Sequence, residues 1–143
     1  MVTFPNAKIN IGLNILSKRL DGFHNISSCF YPIPFSDILE IVKADNFQFS
    51  SSGIEIPGTG NLCVKAYELI KNDHDIENVN IHLHKSIPVG AGLGGGSSDA
   101  TFTLKMLNDL FSLGLDQKQL EGYAAKLGSD CPFFVKNQAA MAS

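Results

Sequence analysis

A glycine-rich segment limits the folds open to this chain more than any other feature. Residues 88–100 read PVGAGLGGGSSDA, with five glycines among seven consecutive residues, between an alternating apolar pattern and an amphipathic one. Glycine allows consecutive backbone N–H groups to line one concavity, because no Cβ stands in the way. A helix that begins there adds unpaired N–H groups and the positive end of its dipole. The segment therefore predicts a cradle for a phosphate group.

Charge and composition restrict the partners that such a site can have. The 143 residues are enough for one domain with a buried core. A net charge of -3 gives no electrostatic reason to expect nucleic acid or an anionic membrane, so a phosphate site must be local. The three cysteines form no C-x-x-C pair, which argues against a disulfide framework and a zinc site. No apolar run is long enough to span a bilayer and no signal segment is visible, so we expect a cytoplasmic domain.

Alternating apolar and polar residues predict strands in the first half of the chain. Apolar residues at odd positions from Ala7 to Leu16 predict a half-buried strand with Lys8 and Asn10 on its polar face. Asp21-Gly22 predicts a turn. The other elements predicted in this half are strands at 25–35 and 38–42, and a small hairpin of 47–49 with 54–56.

The second half of the chain is predicted to be richer in helix. Asn61 is placed to cap a helix over 62–72, and Asp116 with Gln119 resembles a capping box. The remaining predicted elements are a strand at 79–83, a helix from about 100 to Gly114, a helix over 117–127 and a strand beginning at 133–135, after an extended Cys131-Pro132 step. The last residues have no helix stop and no polar tail, so we expect a fragment of a longer protein.

Two common phosphate-binding patterns fit the glycine segment poorly. Gly90, Gly92 and Gly95 satisfy G-x-G-x-x-G, but 85–88 separate the segment from its strand and no second strand ends in an acidic residue at the required distance. The Walker A pattern requires lysine where Ser97 stands. A flexible linker would not lie between a strand and a good helix. A phosphate cradle without its own lysine remains.

The pattern P-x-G-x-G-L-G-G-G-S-S resembles the second motif of the GHMP kinases, a family of small-molecule kinases. Two more segments, PNAKIN at 5–10 with RLDGFH at 19–24, and GSDCPFF at 128–134, are similar to the branch of that family whose acceptor is a cytidine-diphosphate-linked sugar alcohol of isoprenoid precursor synthesis. The resemblance implies an α+β fold, a ribosomal-protein-like mixed sheet with helices packed on one side. Residues 1–143 would form the N-terminal ATP-binding domain, without the family's C-terminal domain.

The resemblance also implies a chemistry, ATP-dependent phosphorylation of an alcohol with magnesium. Asp130 would be the general base and Lys8, beside it, would keep it ionised and stabilise the γ-phosphoryl group. Taken alone, Lys8 reads as a solvated strand lysine and Asp130 as a turn former. The ATP phosphates would contact Pro88, Gly90, Gly92, Leu93, Gly94, Gly95, Gly96, Ser97 and Ser98, with Ser98 as a candidate magnesium ligand. Without the second domain we expect no activity.

Substrate contacts are expected along the first hairpin. Phe23 is placed to stack on the cytosine and His24 to read its polar edge, although a packed hairpin aromatic remains an alternative. Asn10 is either a ligand of the acceptor hydroxyls or a surface residue. Phe30 either extends the apolar wall or packs in the core, and Asn61 either contacts the nucleotide or only caps its helix.

Four further interpretations stay open or are set aside. Another GHMP kinase with a different acceptor, and a non-catalytic nucleotide-binding module of the same fold, are the alternative functions. His82 and His84 share a strand face without a third metal ligand in view, so they are expected to be surface residues. Asp99 is explained as a partner of the helix dipole.

Overall fold

Most of the strand residues lie in the first half of the chain and most of the helix residues in the second half, as predicted. A computed structural model describes residues 1–18, 24–58 and 60–142, with side chains outside 13–28 and 142. The elements are β1 (Val2–Thr3), β2 (Asn6–Lys18), β3 (His24–Ser36), β4 (Ile38–Lys43), β5 (Gln48–Gly53), α1 (Leu62–Asp73), β6 (Val79–Lys85), α2 (Gly95–Leu110), α3 (Gln117–Leu127), α4 (Phe133–Lys136) and β7 (Ala140–Ala142). The Asp21-Gly22 turn lies outside the described residues. No helix in the described part of the chain is long and apolar enough to cross a bilayer.

The strands form two sheets. One has the order β1-β4-β6-β5 and is mixed, because β5 runs parallel to β6 while the other pairs are antiparallel. The second is antiparallel, with the order β2-β3-β7. The apolar residues of β4 and β6 that point to one side pack under α1 and α2, which buries Ile41, Ile81, Ile70 and Leu107 completely. The predicted α+β class, a mixed sheet with helices on one side, is confirmed.

The predicted helix boundaries are confirmed where a polar side chain caps the helix. The Asn61 side chain accepts a hydrogen bond from the backbone N–H of Cys63 at 2.7 Å, and α1 begins at the next residue after the cap. Asp116 and Gln119 form both bonds of a capping box at the start of α3. These local bonds satisfy N–H groups that the helix itself leaves free.

The predicted hairpin of 47–49 with 54–56 is wrong. Residues 48–53 form one strand, β5, which pairs in parallel with β6 some 30 positions further along the chain. Ser51, Ser52 and Gly53, which would form the turn of that hairpin, are strand residues. Ser50 and Ser52 hydrogen-bond His82 and His84 at 2.7 and 2.8 Å. Pairing with a distant strand, together with these side-chain bonds, decides the conformation of a segment with weak local preference.

The strand predicted at 133–135 is also wrong, because these residues form the short helix α4. Cys131 and Pro132 lie in a turn rather than an extended step. Phe134 is fully buried and Val135 nearly so. The Lys105 ammonium, on α2, lies 3.4 and 3.3 Å from the carbonyl oxygens of Phe134 and Val135. Packing on α2 therefore outweighs the strand preference of a Phe-Phe-Val run.

The alternation of apolar and polar residues in β2 does not correspond to which of its side chains are buried. Lys8, assigned to the polar face, is only 3% exposed, whereas Ile11 is 50% exposed. The register of β2 with β3 shifts between Asn6 and Lys8, so the strand is irregular at this point. The backbone N–H of Lys8 donates to Leu93 at 2.8 Å, which brings the glycine segment against this part of the strand. The glycine segment therefore covers the lysine.

Candidate functional site

The glycine segment forms one wall of a cleft of about 410 Å³. Most of the predicted phosphate-binding residues line it, as do Asn61, the candidate nucleotide contact, and residues that the sequence did not connect with the site. The lining consists of 56–58, 60–62, Lys85, 88–97 and Asp99. Ser98 is not among these residues, although it was predicted to face the ligand. Its side chain is fully buried, and its hydroxyl has no hydrogen-bond partner.

The backbone of the glycine segment adopts conformations that suit a phosphate cradle. Gly90 and Gly92 adopt φ values of +75° and +76°, and a Cβ at either position would meet no atom within 4 Å. Side chains there would project into open space, which the glycines leave free for a ligand. Helix α2 begins at Gly95, so Ser97 and Ser98 lie in its first turn, beside its unpaired N–H groups. The concavity can therefore hold a phosphate group.

Lys8 lies directly beneath the cradle. A Cβ on Gly94 would come within 3.1 Å of both Lys8 Cγ and Phe134 Cζ, so only glycine lets the segment approach β2 and α4 this closely. The Lys8 ammonium donates to Asn10 Oδ1 at 2.9 Å and lies 4.4 Å from the centroid of the Phe30 ring. The structure thus brings a buried positive charge to the glycine segment.

Asp130 occupies the turn between α3 and α4 and is half-buried. The turn is attached to α2 because Thr101 Oγ1 donates to the carbonyl of Cys131 at 2.8 Å. It reaches the surroundings of Lys8 through Phe133, whose ring meets Phe30 edge-on at 5.5 Å. Lys8 was predicted to lie beside Asp130, but the ion pairs within 4.0 Å among the described residues do not join these two side chains. Lys8 is held by Asn10 and Phe30 instead.

A buried charge cluster at the floor of the cleft was not predicted. The Lys85 ammonium lies 2.8 Å from Asp37 Oδ2 and 2.9 Å from Asp99 Oδ2, and all three side chains are at most 4% exposed. The other oxygen of Asp37 accepts from the backbone N–H groups of Ser86 and Ile87. The cluster therefore joins β6, which precedes the glycine segment, and α2, which follows it, to the start of β4.

Two carboxyl groups on one ammonium cannot both be ionised without leaving a net buried charge. Burial, together with the hydrogen bond to Asp37, raises the pKa of Asp99 to about 8, against the opposing effect of Lys85. Burial alone would raise the pKa of Asp37, but bonds from Asp99, Lys85 and the backbone bring it below its usual value. Burial alone would lower the pKa of Lys85, and the two carboxyl groups raise it instead. Near neutral pH, Asp99 accordingly holds the proton.

A signal for this cluster was present in the sequence. Val79, Ile81 and Leu83 alternate as the buried face of β6, and Lys85 continues the same series of odd positions. A lysine at a buried strand position requires an acidic partner. Asp99 is the carboxylate on the helix that follows, whereas Asp37 is 48 residues away and only the fold identifies it.

The predicted substrate residues are only partly described. Phe23 lies outside the described residues, and for His24 the backbone alone is described, as the first residue of β3. Asn10 is exposed and accepts from Lys8, while Phe30 is half-buried against Lys8 and Phe133. Asn61 caps α1 and also lines the cleft. Across the described ranges, no three His, Cys, Asp or Glu side chains come together as a metal-binding group.

Comparison with known proteins places these features in a family. Residues 61–138 match the family described as GHMP kinases N terminal domain. The chain is 57% identical over 144 residues to 4-diphosphocytidyl-2-C-methyl-D-erythritol kinase of Cytophaga hutchinsonii, covering 99% of this chain and 53% of that protein. It is 53% identical to the Bacteroides fragilis protein of the same name, covering 99% of this chain and 54% of the relative. The chain thus spans about half the length of the relatives it matches.

Solved structures agree with this placement. A crystal structure of 4-(cytidine 5'-diphospho)-2C-methyl-D-erythritol kinase superimposes with a TM-score of 0.86 at 35% identity, over 99% of this chain and 51% of that one. The Methanococcus jannaschii mevalonate kinase superimposes with a TM-score of 0.73 at 12% identity, over 99% of this chain and 53% of that one, a likeness in fold alone. The family match extends over more than half of the chain, and the chain belongs to the GHMP kinases as a member of their N-terminal domain family.

Proposed function

We propose that the protein transfers the γ-phosphoryl group of ATP to the 2-hydroxyl of 4-diphosphocytidyl-2-C-methyl-D-erythritol, a step of isoprenoid precursor synthesis. In this proposal residues 1–143 are the N-terminal ATP-binding domain, and a C-terminal domain completes the cleft. The observation that supports it most is the buried Lys8 against the glycine segment, which also lies against Phe134 of α4, the helix that follows the turn of Asp130. The names of the relatives that match 99% of the chain favour this acceptor over others.

The reaction needs positioning and charge neutralisation more than covalent chemistry. The glycine segment and the first turn of α2 bind the phosphates through backbone N–H groups. Lys8 stabilises the charge that develops on the transferred group, with an effect strengthened by its burial. Asp130 accepts the proton of the attacking 2-hydroxyl as the general base. Lys8 and Asp130, both among the described residues, form no ion pair with each other, and the Lys8 ammonium is bonded to Asn10.

Magnesium is expected to bind with ATP. It would neutralise phosphate charge and hold the triphosphate in place. The Ser98 hydroxyl, in the first turn of α2, has no hydrogen-bond partner, which suits an oxygen ligand, although the residue does not line the cleft. We therefore assign most of the ion's ligands to the phosphates themselves and at most one to this chain.

Acceptor binding is assigned to the β2–β3 hairpin. Phe23 would stack on the cytosine, His24 would bind its polar edge, and Asn10 with Phe30 would lie beside the acceptor's sugar alcohol. Asn61, which lines the cleft and caps α1, would also contact the nucleotide.

The proposal is tested in the full-length protein by measuring ADP formation with a panel of acceptors that includes homoserine and mevalonate. We expect turnover with the cytidine-linked acceptor alone. Asp130→Asn should reduce kcat by at least ~100-fold and leave the ATP dissociation constant unchanged. Asp109→Asn, at an exposed site on α2, is the control and should have the wild-type kcat.

Each contrary outcome has a definite meaning. Turnover with a different acceptor of the panel would identify another GHMP kinase and overturn the acceptor assignment. ATP binding without turnover on any acceptor would identify a nucleotide-binding module. An Asp130→Asn protein with wild-type kcat would remove that residue from the mechanism.

A further inference from the structure

Two asparagines 131 positions apart form a reciprocal amide pair. Asn6 Nδ2 donates to Asn137 Oδ1 at 3.0 Å, and Asn137 Nδ2 donates to Asn6 Oδ1 at 2.5 Å. Both side chains are half-buried. Each residue supplies one donor and one acceptor from a single planar carboxamide. The pair therefore fixes two backbone segments at one separation and one orientation.

One of these segments bears Lys8, and the other follows the turn that bears Asp130. Asn6 begins β2, two residues before Lys8. Asn137 ends α4, the four-residue helix that follows the turn of Asp130, and its N–H donates to the carbonyl of Phe133 at 3.0 Å. Its φ of +58° lies in the left-handed region, which asparagine tolerates better than most side chains. The pair is thus a bridge between the strand of Lys8 and the helix next to Asp130.

The same short strand segment is also joined to the glycine segment. The N–H of Lys8 donates to the carbonyl of Leu93 at 2.8 Å. The register shift between Asn6 and Lys8 means that pairing with β3 constrains this segment less than it would in a regular strand. Because Lys8 and Asp130 make no ion pair of their own, their separation has to be maintained by contacts around them.

We propose that the Asn6–Asn137 pair is a positioning element of the phosphoryl-transfer site, which sets the place of Lys8 relative to Asp130 and to the phosphate cradle. The proposal rests on the function proposed above. It predicts that the pair affects the rate of the chemical step rather than ATP affinity, because the cradle itself does not contain either asparagine.

The test uses Asn6→Ala, Asn137→Gly and the double variant in the full-length protein. Glycine at 137 removes the amide but keeps the left-handed backbone accessible. Each single variant is expected to lower kcat by about 10- to 100-fold, as for a small displacement of catalytic groups, with an ATP dissociation constant within about twofold of wild type. The double variant should be no slower than the slower single variant, because the two residues act as one unit.

Asn108→Ala is the matched control. The Asn108 side chain donates to the carbonyl of Leu115 at 3.0 Å and accepts from its N–H at 2.9 Å, so it also joins two segments by two bonds. It lies at the far end of α2, away from the cleft. This variant should lose a similar amount of thermal stability and keep the wild-type kcat.

A second readout does not depend on turnover. Hydrogen exchange of the Lys8 N–H, which is bonded to Leu93, should accelerate in Asn6→Ala and not in Asn108→Ala. Asn6→Asp keeps the shape of the side chain but places an acceptor oxygen opposite Asn137 Oδ1, so it should behave like Asn6→Ala. It replaces the alanine variant in the test if that variant does not fold. The proposal is overturned if exchange at Lys8 is unchanged, or if the pair variants and the control lose kcat equally. Absence of turnover in the wild type would instead refute the proposed function, and the exchange measurement would still decide the role of the pair.

Discussion

Replacing Asp99 with asparagine should change how the stability of the protein depends on pH. Asp99 is buried beside Asp37 and shares the Lys85 ammonium with it, and its pKa in the folded protein is about 8 against an ordinary value of 3.8. At any pH between these two values, Asp99 is therefore protonated in the folded protein and ionised in the unfolded chain. Raising the pH across this range must lower the free energy of unfolding, because the folded state binds more protons than the unfolded state.

The size of the effect follows from proton linkage. One group with this separation of pKa values changes the free energy of unfolding by about 1.4 kcal/mol for each pH unit. Between about pH 5 and about pH 8 the contribution of Asp99 amounts to about 4 kcal/mol, and it becomes constant above the folded pKa. Asparagine is similar in shape and does not titrate, so this part of the pH dependence should disappear in Asp99→Asn.

The measurement is urea unfolding of wild type and variant at several pH values over this range. The wild type should become less stable than Asp99→Asn as the pH rises, with the difference growing by about 4 kcal/mol in total. Asp109→Asn, an exposed site on the same helix, should give a curve parallel to that of the wild type. Parallel curves for wild type and Asp99→Asn would mean that Asp99 does not hold a proton in the folded protein, and the account of the buried cluster would be wrong.

Three further substitutions test the buried cluster, the start of α2 and the cap of α1 by chemical denaturation. Lys85→Met should destabilise the protein by about 3–5 kcal/mol, because it leaves two carboxyl groups buried without their cation; a loss below about 1 kcal/mol would contradict the buried cluster. Gly95→Ala should cost about 1–3 kcal/mol, because its Cβ would lie 2.8 Å from the buried Ile87 side chain, and an unchanged stability would show that α2 begins elsewhere. Asn61→Ala should cost about 1 kcal/mol through loss of the α1 cap, whereas Asn61→Ser should cost less.

The parts of the fold predicted correctly from sequence are those governed by local chemistry. The caps at Asn61 and Asp116, the strand leading to Lys85 and the helix after the glycine segment all depend on residues within a few positions of one another. The polar segment of β5 became a strand because it pairs with β6, a contact that no local pattern contains. Helix α4 replaced a predicted strand because Phe134 and Val135 are buried next to α2.

In the site, too, the features that depend on neighbouring residues were predicted and those that depend on distant contacts were not. The glycine segment was recognised because glycine spacing and the following helix start are both local, and the structure places most of it along one cleft. The burial of Lys8 was not predicted, since its cover comes from Leu93 and Gly94, more than 80 residues away in sequence. Asp37 was missed because a single aspartate before a strand resembles any other turn residue until Lys85 is brought to it.

Transfer of a phosphoryl group to an alcohol in this cleft would leave a defined product, and identifying that product is the decisive measurement. The full-length protein is incubated with magnesium, ATP and 4-diphosphocytidyl-2-C-methyl-D-erythritol, and the mixture is followed by phosphorus NMR and mass spectrometry. We expect stoichiometric ADP and a new phosphate monoester at the 2-hydroxyl, with the diphosphate linkage of the acceptor intact. Release of inorganic phosphate without a new ester, or no consumption of ATP, would contradict the account.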